Sequence, residues 1–147
     1  MTDVDPNDRT TATGLWMFAE TYLQAANHLA ETGGDVLRFN APIYFLYSHA
    51  MELTLKAFLR SKGATLEKLR RMGHALPALL ERARAQGLTP GAKAEYDAEL
   101  VALLDVYNSE HQFRYIVTGA LRLPEIKALH EVAARLLSAT RSACLPH

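Results

Sequence analysis

Apolar residues recur at helical spacing along most of the chain, and glycine, proline and polar residues interrupt them. The spacing predicts five helices, over residues 15–31, 42–63, 76–86, 90–109 and 124–141, with a shorter helical piece over residues 66–71. Residues 113–123 lack this periodicity and contain a β-branched run, so we predict an extended loop there. Helices joined by short connections predict an all-α fold, an up-and-down bundle of about five helices.

The predicted helices occupy the middle of the chain. Residues 1–13 are polar and acidic, and we expect them to form a flexible N-terminal tail. We expect a short C-terminal tail at residues 142–147. The intervening residues 14–141 have a length that suits a single helical domain with one core.

Spacing also predicts which side of each helix faces the core, because a bundle helix buries one stripe. In the first helix the stripe consists of Leu15, Phe18, Ala19, Tyr22, Ala26, Leu29 and Ala30, with Trp16 and Leu23 beside it. In the fourth helix it consists of Tyr96, Leu100, Leu103, Leu104 and Tyr107.

The second predicted helix is apolar on nearly all sides and carries one polar stripe. The stripe consists of His49, Glu52, Lys56 and Arg60, whose spacing places them on one face. A helix that is apolar nearly all round belongs at the centre of a bundle. Charged groups in such a place are paired or have a function, so the stripe is a candidate binding site.

The chain is electrically balanced overall, with 16 basic and 16 acidic residues, and this balance neither favours nor excludes nucleic acid. The distribution is uneven, because residues 56–84 contain only two acids, Glu67 and Glu81. The same segment contains eight basic residues: Lys56, Arg60, Lys62, Lys68, Arg70, Arg71, Arg82 and Arg84. This basic sector is interpreted as solvated helix faces, as a surface that attracts a polyanion, or as a surface that pairs with an acidic sector of a second copy.

Cysteine usage and hydropathy restrict the class of protein. Cys144 is the only cysteine, so no disulfide forms within the chain, and we expect a cytoplasmic protein. The N-terminal residues do not resemble a signal peptide, and no apolar run is long enough for a membrane span. No Cys/His spacing suggests zinc, and we expect neither a metal nor a cofactor.

Three segments, taken in order, resemble the HEPN superfamily of helical bundles. Glu52-Leu53-Thr54-Leu55-Lys56-Ala57 resembles the family's Glu-x-x-Leu-Lys-Ala helix core. Gly73-His74-Ala75-Leu76 resembles its Gly-His-Asp-Leu turn, and Phe113-Arg114-Tyr115 resembles its Phe-Arg-Tyr-Pro element. Two departures matter: Ala75 removes the carboxylate that would cap the following helix, and Ile116 replaces the proline.

The resemblance implies two kinds of protein. Many HEPN proteins are metal-independent ribonucleases that use an arginine followed, after four to six residues, by a histidine in a site shared across a dimer. Arg141 and His147 match this spacing formally, but Pro146 lies beside the histidine in the predicted tail, so we interpret the match as chance. Other HEPN-like bundles are non-catalytic modules that dimerise or pair with a nucleotidyltransferase partner.

We therefore expect a homodimeric HEPN-like interaction module in a prokaryotic defence, stress or toxin–antitoxin system. One alternative is a metal-independent ribonuclease that acts on RNA. Its candidate catalytic residues are Arg114 for the phosphate and His74, His111 or His49 for proton transfer. Another alternative is a bundle that binds a nucleotide or small molecule in an inter-helix cavity.

Each candidate residue also has a structural interpretation. Glu52 is expected to pair with Lys56 or with Arg114, which would tie the late loop to the central helix. The ring of His74 has free backbone groups at the start of the next helix as an alternative partner. Arg114 and Tyr115 either bind phosphate and stack a base, or anchor the loop on the bundle.

Overall fold

The protein is a bundle of α-helices. The computed structural model describes residues 9–32, 41–89, 91–109 (the backbone alone for 106–109) and 125–146. These residues contain no strand and form six helices: α1 (Ala12–Thr32), α2 (Ala41–Ser61), α3 (Leu66–Met72), α4 (Leu76–Ala85), α5 (Ala94–Ser109) and α6 (Ile126–Cys144). The predicted all-α fold is confirmed, and the predicted short helical piece is a helix of its own, α3.

The central position predicted for the second helix is confirmed. α2 packs most extensively against α1 and α6 and also contacts α3, α4 and α5. More than half of its residues are buried, including Tyr47, Met51 and Leu55. Because α2 lies among the other helices, its polar side chains meet groups from several elements.

Local sequence signals explain where α2 ends and α3 begins. Gly63 has a φ of +99°, a left-handed conformation that glycine adopts without a Cβ penalty. The amide of Ala64 then returns to the carbonyl of Leu59, which closes the helix end. Thr65 caps α3, since its hydroxyl accepts the backbone N–H of Lys68.

The inner face of α1 agrees with the predicted stripe except at Phe18. Trp16, Ala19, Leu23 and Ala26 are the buried residues, whereas Phe18 is exposed. The indole N–H of Trp16 donates to the carbonyl of Leu137 at 3.1 Å and also lies 3.2 Å from the Thr140 hydroxyl. Burying the indole against α6 satisfies its polar group, and this rotates α1 so that Phe18 points outward.

The inner face of α5 also differs from the prediction. Tyr96 is exposed, whereas Asp97, Leu100, Val101 and Leu104 are buried. Asp97 accepts two hydrogen bonds from the Arg135 guanidinium of α6, which compensates for its burial. Apolarity alone does not predict an acidic residue on an inner face, and the side chain of Tyr107 lies outside the described residues.

The last helix is longer than predicted. α6 continues past Arg141 to Cys144, whose side chain is buried. The carbonyl of Cys144 accepts a hydrogen bond from the hydroxyl of Thr13 in the first turn of α1. This contact connects the two ends of the described bundle and explains why residues 142–144, predicted as part of a tail, are helical.

Candidate functional site

The polar stripe of α2 is centred on Glu52, a carboxylate that is only 6% exposed. One of its oxygens, Oε2, lies 3.4 Å from the ammonium of Lys56, one turn further along α2. The other, Oε1, lies 2.8 Å from Nδ1 of His74. The predicted Glu52–Lys56 pair is therefore present, and each oxygen of the buried carboxylate has a partner.

His74 reaches Glu52 from the turn between α3 and α4. Gly73, immediately before it, ends α3 with a φ of +67°. The His74 ring binds Glu52 rather than the backbone groups at the start of α4, which were the alternative partner. Its side chain is 74% exposed even though one ring nitrogen contacts a buried carboxylate.

This geometry gives His74 a defined orientation. A carboxylate that accepts a hydrogen bond from Nδ1–H favours the tautomer with the proton on Nδ1. Nε2 is then unprotonated and can accept a proton. In His74 that nitrogen belongs to a largely exposed ring. The Glu52–His74 pair therefore has the arrangement of a buried carboxylate that orients a general base.

His49 lies on the same face of α2, one turn before Glu52, and is half-buried. The Tyr22 ring of α1 meets it edge-on with centroids 4.5 Å apart, and the Phe45 ring stacks parallel to it at 6.0 Å. Burial lowers the pKa of His49; the Glu52 carboxylate opposes this shift, and His74 and Lys56 reinforce it. These contacts favour the neutral imidazole.

Arg60, the last residue of the stripe, hydrogen-bonds backbone groups near the ends of two helices. Its Nη1 donates to the carbonyl of Ala64 at 2.9 Å and its Nε to the carbonyl of Thr10 at 3.3 Å. These carbonyl groups belong to the α2–α3 connection and to the segment before α1. These two contacts of Arg60 fix the backbone at the end of α2 and before α1.

Three predicted site residues are not tested by this geometry. His111, Arg114 and Tyr115 lie outside the described residues, and so does His147. The predicted pairing of Glu52 with Arg114 and the predicted phosphate contact of Arg114 therefore stay predictions.

The structure adds Asp105, which the sequence did not single out. Oδ1 of this α5 residue accepts the backbone N–H of Leu76 at 3.0 Å, at the start of α4. Ala75 has no side chain that could cap α4. The Asp105 carboxylate, from another helix, accepts a hydrogen bond at the start of α4 in its place. Burial raises the pKa of Asp105, and the bond from Leu76 acts in the opposite direction.

A second, half-buried polar cluster joins α1, α2 and α6. The side-chain oxygen of Asn27 accepts the hydroxyl of Tyr47 at 2.6 Å and lies 2.8 Å from Nδ1 of His130. The cluster satisfies three polar groups at the contact of three helices. We assign it a structural role, since these hydrogen bonds join side chains of three helices.

Neither a metal site nor a membrane span is found in the described part of the chain. Within those residues no group of three or more His, Cys, Asp or Glu side chains is placed to hold a metal ion. No described helix is sufficiently long and apolar to cross a membrane.

The chain was compared with known proteins at three levels. No protein-family model, no curated protein and no solved structure matches it. The likeness to HEPN bundles therefore rests on the three sequence segments, two of which, around Glu52 and His74, meet in the Glu52–His74 contact.

Proposed function

We propose that the protein is a HEPN-like interaction module that forms a homodimer through the solvent-facing side of α1. The observation that carries the proposal is the exposure of two adjacent large apolar residues on this helix, Met17 at 57% and Phe18 at 62%. Large exposed apolar groups that share a helix face with other uncharged residues favour a protein contact.

The composition of this side of α1 supports a contact surface. Further along the helix the exposed residues are Thr21, Gln24, Ala25 and His28. Over residues 17–25 the exposed positions carry no formal charge. We call the exposed residues from Met17 to His28 the α1 face.

The absence of formal charge favours a second copy of the chain as the partner. In a two-fold dimer the same surface meets itself, so a charged residue near the axis faces the same charge of the second copy. The α1 face avoids that repulsion over residues 17–25, while its apolar side chains gain from burial. A strongly charged partner would find no complementary charge here.

A cysteine placed on the α1 face tests this interface directly. In a dimer of this kind, Thr21→Cys places two thiols near the axis, and mild oxidation should give a covalent dimer. Glu81→Cys, exposed on α4, is the matched control. It should migrate as a monomer in denaturing electrophoresis under non-reducing conditions. The native Cys144 does not interfere, because burial raises its pKa to about 11. Equal cross-linking of both variants would contradict the proposal.

The biological setting of the module is also a proposal. The resemblance supports a prokaryotic defence, stress or toxin–antitoxin system, with a nucleotidyltransferase-type protein as a further partner. A single cysteine supports a cytoplasmic location.

The Glu52–His74 contact favours a second candidate function, a metal-independent ribonuclease. In it, His74 accepts the proton of an RNA 2′-hydroxyl, and Arg114 is the candidate cation for the phosphate. The test is incubation with cellular RNA in EDTA. Cleavage that is lost in both His74→Ala and Arg114→Ala supports the enzyme, and undiminished cleavage in His74→Ala contradicts it.

A further inference from the structure

A cavity with a volume of about 540 Å³ lies at one end of the bundle, between the end of α2, helix α3 and the last turn of α4. Four cations line it, Lys62, Lys68, Arg71 and Arg82, and none of the described residues that line it is acidic. We propose that this basic cavity binds residues 1–8 of the same chain, an acidic segment that lies outside the described residues. The inference is independent of the α1 face and goes beyond the proposed dimer.

The cations of the basic cavity need more negative charge than the described residues supply. Arg71 pairs with Glu67 one turn earlier on α3, an exposed ion pair that stabilises little. Neither Lys68 nor Arg82 pairs with a carboxylate of the described residues. The cavity therefore favours an occupant that brings several negative charges.

The chain enters α1 beside this cavity. The Arg60 guanidinium, at the end of α2, donates from Nε to the carbonyl of Thr10 at 3.3 Å and from Nη1 to the carbonyl of Ala64 at 2.9 Å. Ala64 is one of the lining residues. The hydroxyl of Thr11 accepts the backbone N–H of Gly14 at 2.9 Å, which fixes the start of α1. Thr10 therefore lies an arginine side chain's length from the cavity wall.

The segment before Thr10 has the chemistry that complements the lining. Residues 1–8 contain three acids, Asp3, Asp5 and Asp8, and no lysine, arginine or histidine. They also contain the apolar residues Val4 and Pro6. Apolar residues complete the lining of the cavity: Leu59, Ala64, Met72 and Ala85. Eight residues reach up to roughly 26 Å when extended, so the three acids can meet cations on different walls of the cavity.

The covalent connection favours this segment over a free anion of the same charge. A group on a short linker binds at an effective concentration in the millimolar range, which a free acidic peptide must match to compete. When the segment is bound, the cations of the cavity are paired. Residues 1–8 therefore also weaken the attraction of this end of the bundle for external polyanions.

Disulfide trapping in the full chain tests the assignment. Val4→Cys places a thiol in the segment, and Ala85→Cys places one on the cavity lining, so neither change removes a charge. Ala78→Cys is the matched control for the second thiol, because Ala78 is an exposed alanine about two turns earlier on α4 that does not line the cavity. Oxidised glutathione is the oxidant, and peptide mass spectrometry identifies the disulfide.

We expect Val4→Cys/Ala85→Cys to form its disulfide within one chain, about tenfold faster than Val4→Cys/Ala78→Cys. Each rate is divided by the alkylation rate of the same thiols, which removes differences in thiolate content. The Phe18→Gln chain should be trapped equally fast, and this separates the result from the fate of the dimer. Equal rates for the two cysteine pairs, or a disulfide that joins two chains, would overturn the assignment.

The charge of the lining is tested in the same chain. Adding Lys68→Gln/Arg82→Gln to the trapped pair should slow disulfide formation about fivefold, because two exposed ion pairs with the segment are lost. Both residues are exposed, so these changes do not disturb the core. Arg70→Gln is the matched control, since Arg70 is an exposed cation of α3 that does not line the cavity, and it should leave the rate unchanged. Equal rates with and without the two lining cations would refute charge as the cause of binding.

Discussion

At the scale of single residues, Glu52 connects two parts of the chain that the sequence presents separately. Its burial is tolerated because Lys56 and His74 each contact one oxygen. The Lys56 contact was predictable, since residues four apart on a helix are neighbours. The His74 contact was not, because the spacing within one helix contains no information on where a distant turn will lie.

Removing the Glu52 carboxylate should destabilise the fold. In Glu52→Ala, the largely buried Lys56 ammonium and the His74 ring lose their shared acceptor, and we expect a loss of about 2 kcal/mol in the free energy of unfolding. Glu67→Ala is the control, because it breaks an ion pair of the same i,i+4 spacing that is exposed. Urea denaturation measures both, and a Glu67 effect as large as that of Glu52 would refute the explanation.

His49 should make stability depend on pH. Burial lowers its pKa in the folded protein below the usual 6.5 of the unfolded chain. As the pH falls below 6.5, the unfolded chain binds a proton that the folded ring does not, so the free energy of unfolding decreases until the folded ring titrates too. This contribution is fully present above pH 6.5.

The variant His49→Phe isolates this effect. It keeps an aromatic ring against Tyr22 and Phe45 but has no titratable nitrogen. We measure the free energy of unfolding by urea denaturation at a series of pH values. As the pH falls below 6.5, it should decrease less steeply in the variant than in the wild type. If the free energy of unfolding depends on pH in the same way in both proteins, His49 is not the source of this pH dependence.

At the scale of helices, the periodicity predicted which segments are helical better than which side of each is buried. Trp16 and Asp97 turn inward because α6 supplies partners for their polar groups, and Phe18 and Tyr96 turn outward as a result. The missing information is the identity of the facing helix. A pattern based on apolarity has no access to it.

The start of α4 provides a test at this scale. Asp105→Ala removes the only side-chain acceptor described for the Leu76 N–H and should cost about 1 kcal/mol, as the loss of a helix cap does. Asp105→Asn keeps an oxygen at the same position and should be much closer to the wild type. Thermal unfolding distinguishes them, and identical melting temperatures for the two variants would contradict the capping role.

At the scale of the whole molecule, the all-α bundle and its central helix were predictable because α2 is apolar on nearly all sides. The candidate sites were predictable only in part. Lys62, Lys68, Arg71 and Arg82 were visible as part of a charge-rich sector, but their convergence on one cavity depends on how α2, α3 and α4 are arranged. The uncharged α1 face was not predicted from the sequence, because the apolar spacing assigned Phe18 to the core.

Sedimentation equilibrium is the measurement that tests the central proposal most directly. The wild type should sediment with twice the 16.3 kDa mass of the chain, and the double variant Met17→Gln/Phe18→Gln should sediment with the mass of a monomer. Tyr96→Gln, which removes an exposed aromatic ring from α5, should stay dimeric. A wild type that is monomeric at every concentration, or a dimer that survives the α1 double variant, would contradict dimerisation through the α1 face.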